Sequence, residues 1–256
     1  MAAVNTTKLA VLIDADNAQP SMSGPLLAEV AKYGTACVKR AYGDWTGTGL
    51  RGWKDELLKH AIQPIQQFAY TLGKNATDMA MIIDAMDLLY SNKYDGFCLI
   101  SSDSDFTRLA VRIRESGLPV YGFGARKTPA AFVVACNRFV YVENLAVHEE
   151  HGTQALPQRR ETAALKNAGP GLANQLETAV EAASEEDGWA LLSEVGQLMT
   201  KRHPDFDPRS YGHSKLSGLF AAMAIFEVTR RSPGKGRSEA VYVRSKRRAQ
   251  EHSSKQ

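Results

Sequence analysis

Between Lys8 and Leu145 short apolar runs alternate with stretches that read as helices. This alternation constrains the fold more than any other feature of the chain. The strand-like runs KLAVLI, TACVKRAYGDW, IQPIQQFA, GFCLIS, LPVYGFG and FVYVENL are separated by SGPLLAEVAKYG, GLRGWKDELLKH, ATDMAMIIDAMDLLYS, SDFTRLAVRIRES and TPAAFVVACN. Several of the strands lack polar alternation, so both of their faces need cover. That predicts an α/β domain with a mostly parallel sheet coated by helices on both sides. Ser23 as an N-cap, Pro25 in the first turn and Gly34 as a stop delimit the first helix.

From His148 to Gly171 no apolar stripe is sustained, and the segment ends in Gly-Pro-Gly. It reads as a linker. LANQLETAVEAA, WALLSEVGQLMTKRH and HSKLSGLFAAMA then read as three amphipathic helices, with Leu192, Val195 and Met199 on one stripe and Leu216, Leu219, Phe220 and Met223 on another. IFEVTRR and EAVYVRS follow as strands joined by the basic loop SPGKGRS. Three helices and a hairpin predict a small winged-helix α+β domain. The expected organisation is a first domain over 1–147, a linker over 148–171, a second domain over 172–245 and a basic disordered tail over 246–256.

The net charge of +3 hides a basic C-terminal end. Arg230, Arg231, Lys235, Arg237, Arg244, Lys246, Arg247 and Arg248 face only Glu239 and Glu251 there, which suits a phosphate-bearing partner or, after about residue 245, a solvated tail. The three cysteines form no C-x-x-C pair and have no histidine at zinc-ligand spacing, so they read as reduced residues. No apolar run reaches membrane-spanning length, and the N-terminus lacks an apolar core. A cytoplasmic protein without membrane association is expected; a homo-oligomer is compatible with the sequence, which names no protein partner.

Acidic residues gather where strands end. Asp14 closes KLAVLID, Asp103 and Asp105 follow FCLISS, and Asp78 opens a helix. In an open parallel sheet the carboxyl ends of the strands line one edge, where ligands bind. Asp14 and Asp103 meet there if their strands are neighbours. At 100° per residue Ile82, Ala85 and Leu89 share the side of Asp78, so that stripe should pack on the sheet and leave Asp78 at its rim. The alternative for Asp78 is a first-turn acid that favours the helix dipole. Asp84 reads equally as a partner of the site or as a solvent-facing acid. Converging carboxylates repel unless a cation lies among them, and an oxygen-only set suits Mg²⁺ or Mn²⁺. Asn17 could orient a water or a phosphate, or cap the turn after Asp16. Ser101, Ser102 and Ser104 read as turn and N-cap residues.

LIDAD also has the shape of the D-x-D nucleophile motif of haloacid-dehalogenase-type phosphatases. Against that reading, Asn17 stands where Thr or Val is usual, and no Ser/Thr-then-Lys pair at strand ends precedes Asp103. A more specific resemblance is carried by VLIDADN, AYGDW and GKNATDMAMIIDAMDLLYSNKYDGFCLISSDSDFTRLAVRIRESGLPVYGFG, over roughly residues 7–145. These stretches resemble the NYN domain, a PIN-like nuclease family related to LabA-type proteins. The resemblance implies a metal-dependent ribonuclease, an endonuclease by expectation, using Mg²⁺ or Mn²⁺. Its first-strand acid falls on Asp14 and the nearby amide on Asn17. Its K-x-x-x-D element falls on Lys74 and Asp78, and its S-x-D-x-D-F element on Asp103 and Asp105. A Gly is frequent where this chain has Ser102; the acids are intact. Asp14, Asp78, Asp103 and Asp105 are thereby the implied metal ligands, while Lys74 reads equally as a residue that neutralises a phosphate or as a solvated loop lysine.

The second domain is similar to the OST-HTH or LOTUS domain, most clearly in DFDPRSYGHSKLSGLF. Such modules are implicated in RNA binding, some of guanine-rich RNA. The resemblance makes RNA, single-stranded or structured, the expected partner, with Arg230, Arg231, Lys235 and Arg237 as phosphate contacts. Tyr211 and His213 could stack on or hydrogen-bond with nucleotides, while Tyr211 and Phe206 also read as core residues. The rival to a ribonuclease is an RNA-binding adaptor that keeps the fold and cleaves weakly.

Overall fold

The computed structural model describes residues 6–68, 76–146, 170–231 and 239–246. These fall into two compact units, one within the first 152 residues and one after them. The first holds a six-stranded sheet of β1 (Lys8–Asp14), β2 (Thr35–Gly43), β3 (Gln63–Gln66), β4 (Gly96–Ile100), β5 (Val120–Gly124) and β6 (Arg138–Tyr141). All neighbouring strands are parallel, in the order β3-β2-β1-β4-β5-β6. The chain builds outward from β1 through β2 to β3 and then returns to place β4 on the other side of β1. The direction of winding therefore reverses between β1 and β4, and a crevice opens beyond their carboxyl ends.

Side-chain alternation assigns each strand residue to a face. Leu9, Val11 and Ile13 of β1, with Cys98 and Ile100 of β4, pack against α1 (Ser23–Val30), α2 (Trp53–His60) and α6 (Glu143–Ala146). Ala10, Leu12, Phe97 and Leu99 pack on the other face against α3 (Ala76–Tyr90), α4 (Thr107–Glu115) and α5 (Ala130–Ala135). Every residue of β1 after Lys8 is buried, as a central strand covered on both faces requires. On α3 the stripe that faces the sheet contains Met81, Ala85, Leu88 and Leu89, all buried, with Ile82 partly buried beside them.

Three elements differ from their sequence reading. Ser23 was expected to cap the first helix, yet it is the first helical residue, and Met22 holds the cap position without a side-chain hydrogen bond. FVYVENL was expected to be strand throughout, yet β6 ends at Tyr141 and α6 begins at Glu143. The helical turn buries Leu145 in the core under α1, a contact that pairing at an outer strand could not supply. WALLSEV was expected to be wholly helical, yet Ala190 and Leu191 form β7 and the helix starts at Leu192.

The second unit contains α7 (Pro170–Ala183), α8 (Leu192–Arg202), α9 (Leu216–Ala222) and a sheet in the order β7-β9-β8, with β8 at Phe226–Arg231 and β9 at Ala240–Ser245. Both pairings in it are antiparallel. Leu176, Val195, Met199, Leu219, Phe220, Phe226 and Val243 form its core. The segment DFDPRSYG owes its composition to structure. Phe206 is buried, and Asp207 accepts the Arg209 backbone N–H at 2.9 Å and its guanidinium at 2.6 Å. Pro208 opens a short 3-10 turn that Gly212 closes at φ 81°, in the left-handed region where glycine has no steric penalty. This is a small winged-helix arrangement, as expected.

Candidate functional site

Asp14 is the last residue of β1 and has the parity of Ala10 and Leu12, which directs it to the α3 face. Ser101, one residue past β4, has the parity of Phe97 and Leu99 and lies on the same face. The pairing of β1 with β4 brings them together: the Ser101 hydroxyl donates to Asp14 Oδ2 at 2.6 Å. Asn17 donates its side-chain amide to the same oxygen at 2.8 Å and its backbone N–H to Oδ1 at 3.3 Å. Asp14 is fully buried, and burial raises its proton affinity; the Ser101 and Asn17 hydrogen bonds act in the opposite direction. Three donors thus hold one carboxylate at the floor of the crevice.

Ser101 also orients the next acid. Its hydroxyl oxygen accepts the Asp103 backbone N–H at 3.0 Å. Asp103 in turn caps the 3-10 turn Ser104–Phe106 by accepting the Asp105 N–H at 2.9 Å. Phe106 anchors that turn in the core at 0% exposure. Gly124 of β5 allows the backbone to approach closely, since a Cβ there would sit 2.6 Å from the Ser101 carbonyl oxygen.

Asp78 in the first turn of α3 completes the group. Single carboxylate oxygens of Asp78, Asp103 and Asp105 lie within 4.8 Å of one another. Desolvation, followed by the charges of Asp14, Asp103, Asp105 and Asp16, pushes Asp78 from 3.8 up to about 6. Of these charges Asp14 acts most strongly on Asp78, although the 4.8 Å group itself consists of Asp78, Asp103 and Asp105. Asp16 is exposed, and its charge is the weakest of the causes that raise the proton affinity of Asp14 and Asp78. An oxygen-only set of converging carboxylates is the donor chemistry of a hard divalent cation.

Asp84 has a defined place that periodicity left open. It accepts hydrogen bonds from the Arg40 guanidinium and the Tyr42 hydroxyl, both on β2. The contact ties α3 to the sheet six residues from Asp78. Strand parity was the signal for the role of Ser101. For the Asp84 pairing the signal was weaker: Arg40 and Tyr42 alternate on one face of a strand whose neighbour was not knowable from local sequence. Asp44 of AYGDW serves the loop after β2, accepting from Thr46 and from the Gln66 side chain at 2.9 Å.

Of the expected RNA contacts, Lys74, Lys235 and Arg237 lie outside the described residues. Arg230 is exposed on β8. Arg231 is engaged: its guanidinium lies 4.2 Å from the centre of the Trp189 ring and 3.6 Å from Asp187. Arg244 lies 4.6 Å from the same ring and pairs with Glu227 at 2.5 Å. Phe206 and Tyr211 pack with the second core, and His213 is buried.

A parallel sheet with acids gathered at its switch point defines an α/β domain with an acidic site at the carboxyl ends of its central strands. The NYN domain profile matches residues 8–143, more than half of the chain, and the protein belongs to that family. The OST-HTH/LOTUS domain profile matches residues 166–238. Among solved structures, the chain is similar to a protein of unknown function from Vibrio parahaemolyticus, at 18% identity over 55% of this chain and 96% of that one, with a TM-score of 0.47. It is also similar to an uncharacterized protein from Nitrosomonas europaea, at 38% identity over 28% of this chain and 70% of that one, with a TM-score of 0.26. No curated protein matches it.

Proposed function

We propose that this protein is a metal-dependent ribonuclease that cuts internal phosphodiester bonds of RNA, with its C-terminal module holding the RNA. The observation that carries the reading is the convergence of Asp78, Asp103 and Asp105 beside buried Asp14 at the carboxyl edge of the sheet. Asp78, Asp103 and Asp105 would hold Mg²⁺ or Mn²⁺, with Asp14 adjoining. Such an ion supplies positive charge to the phosphate and makes a water more acidic.

The chain's own residues set up that chemistry. Ser101 and Asn17 keep Asp14 in one orientation, and Asp14 adds negative charge to the cluster, which strengthens its hold on a cation. Asp103 and Asp105 present their carboxylates from one capped turn, so their spacing is fixed by the backbone. Asp78 binds its proton up to about pH 6 in the metal-free protein and must release it for the full acidic set to form. The crevice is an open edge of the sheet, which suits a strand passing across it. The OST-HTH/LOTUS match and the exposed Arg230 support RNA as the polymer. Free Cys37, Cys98 and Cys136, and the lack of a membrane-spanning helix among the described residues, support a cytoplasmic setting.

The test is cleavage of linear and circular RNA with Mn²⁺, Mg²⁺ or EDTA. Wild type should cut both forms, and EDTA should stop it. Asp14→Asn combined with Asp103→Asn should lower the rate roughly 100-fold or more, the scale of losing charge stabilisation at a reacting centre. RNA binding without cleavage under either metal would overturn the nuclease reading in favour of an adaptor. Release of phosphate from small phosphomonoesters with RNA left intact would instead favour a phosphatase.

A further inference from the structure

A cavity of about 270 Å³ lies at the same carboxyl edge of the sheet as the acids, walled by Ile13 and Ile100 from the strands, Leu26 and Trp53 from α1 and α2, and Phe123 and Val142 from the far side. These walls belong to the face opposite α3 or to its rim. The cavity and the acids are therefore set on either side of the ends of β1 and β4, and Asn17 and Ser101 border both.

Its polar content is sparse. The Ser23 residue is 3% exposed, lines the cavity, and its hydroxyl has no hydrogen-bond partner. A buried hydroxyl left unpaired costs stability, and native interiors keep few of them. Here the cost would be offset by a ligand that brings its own donor or acceptor. Ser102, by contrast, is already used, its hydroxyl oxygen accepting the Ala125 N–H at 2.9 Å. Lys127 and Glu143 also border the cavity, the latter accepting the Arg126 N–H at 3.0 Å.

A small cavity with mostly apolar walls, polar residues at its rim and one buried, unpaired hydroxyl suits a flat, neutral ring system with a polar edge. The volume is at the small end for ligand pockets and excludes an extended ligand. A ring of that kind attached to a phosphate is a nucleotide. We infer that this cavity is a base pocket: it seats the nucleobase adjoining the phosphate held at the acids, with the Ser23 hydroxyl, otherwise unpaired, rotating inward to hydrogen-bond the base edge. The inference rests on the ribonuclease reading for the position of the phosphate. It deepens that reading by making the pocket the source of base preference at the cut.

Two measurements on the full chain separate the failure of one idea from that of the other. In the first, adenosine, guanosine, cytidine and uridine are titrated without metal, and amide and indole NMR signals are followed. At least one nucleoside should shift the Ala18 and Leu26 amides and the Trp53 indole, and Ser23→Ala should weaken that binding about tenfold, the equivalent of one lost hydrogen bond. In the second, cut sites are mapped in a random RNA pool. Wild type should favour one base beside the cut, and both Ser23→Ala and the cavity-narrowing Ala18→Leu should lose that preference. Ser23→Ala removes an unpaired buried hydroxyl, so retained thermal stability shows that folding is not the cause. If no nucleoside moves these signals at millimolar concentration, or if cleavage shows the same base preference in both variants, the pocket is refuted while the nuclease stands. Nucleoside binding that depends on Ser23, in a chain that never cuts RNA, supports the pocket and removes the hydrolytic reading.

Discussion

At the scale of single residues, the acids divide by environment. Asp14 is buried and satisfied by Ser101 and Asn17, whereas Asp78 is half-buried and feels four neighbouring carboxylates. Its raised proton affinity has a definite sign for stability. Between 3.8 and about 6 the folded chain retains a proton that the unfolded chain has released. The resulting stabilisation is fully present below 3.8 and is lost as pH rises through about 6. The metal-free protein should therefore melt at lower temperature as pH rises through that window, and Asp78→Asn should flatten the trend. Added Mn²⁺ should raise the melting temperature above about pH 6 in wild type and do so far less in Asp78→Asn. Calorimetric scans across pH check this, and a pH trend unchanged by the substitution would contradict it.

At the scale of elements, the site depends on how α3 is held. Alternation in β1 and β4 brings Asp14 and Ser101 to the α3 face, but the position of Asp78 depends on a helix docked from elsewhere in the chain. Met81, Ala85 and Leu89 supply the apolar contact, and Asp84 adds a polar clamp to Arg40 and Tyr42 on β2. Tyr42 is fully buried, so removing its acceptor leaves a costly hydroxyl. Asp84→Ala should destabilise the first unit by about 1–3 kcal/mol. It should also slow cleavage through misplacement of Asp78, chiefly by raising the Mn²⁺ concentration needed for half-maximal rate. Asp84→Asn keeps an acceptor for Tyr42 and should recover most of both. Equal losses in the two variants would argue against a positioning role.

At the scale of the whole molecule, the proposed function puts a nuclease unit and an RNA-holding unit on one chain, which would raise the local concentration of substrate. In the second unit the basic residues are not equivalent. Arg230 is exposed on β8, while Arg231 and Arg244 approach the Trp189 ring. Arg230→Ala should reduce the salt dependence of RNA binding by about 0.7 in the log–log slope, one phosphate contact on a single strand. Arg231→Ala should cost about 0.5–1 kcal/mol of stability in that unit through the lost ring contact. Fluorescence titrations at several salt concentrations, paired with melting curves, distinguish these roles. An unchanged slope in Arg230→Ala would remove it from the interface.

Much of this protein was legible in one dimension, because local chemistry repeats with the period of each element. Apolar runs without polar alternation implied strands covered on both faces. The stripe of α3 followed from helical periodicity, and Asp14, Asp103 and Asp105 were recognisable as polar residues where strands end. Three matters depend on contacts between distant segments. One is the adjacency of β1 and β4, which lets Ser101 reach Asp14. Another is the pairing of Asp84 with Arg40 and Tyr42, 42 to 44 residues away in the chain. The last is the cavity around Ser23, whose walls come from five separate stretches and whose unpaired hydroxyl has no mark in the sequence. A side chain's type and period are local properties, whereas its partner is set by which strands lie side by side.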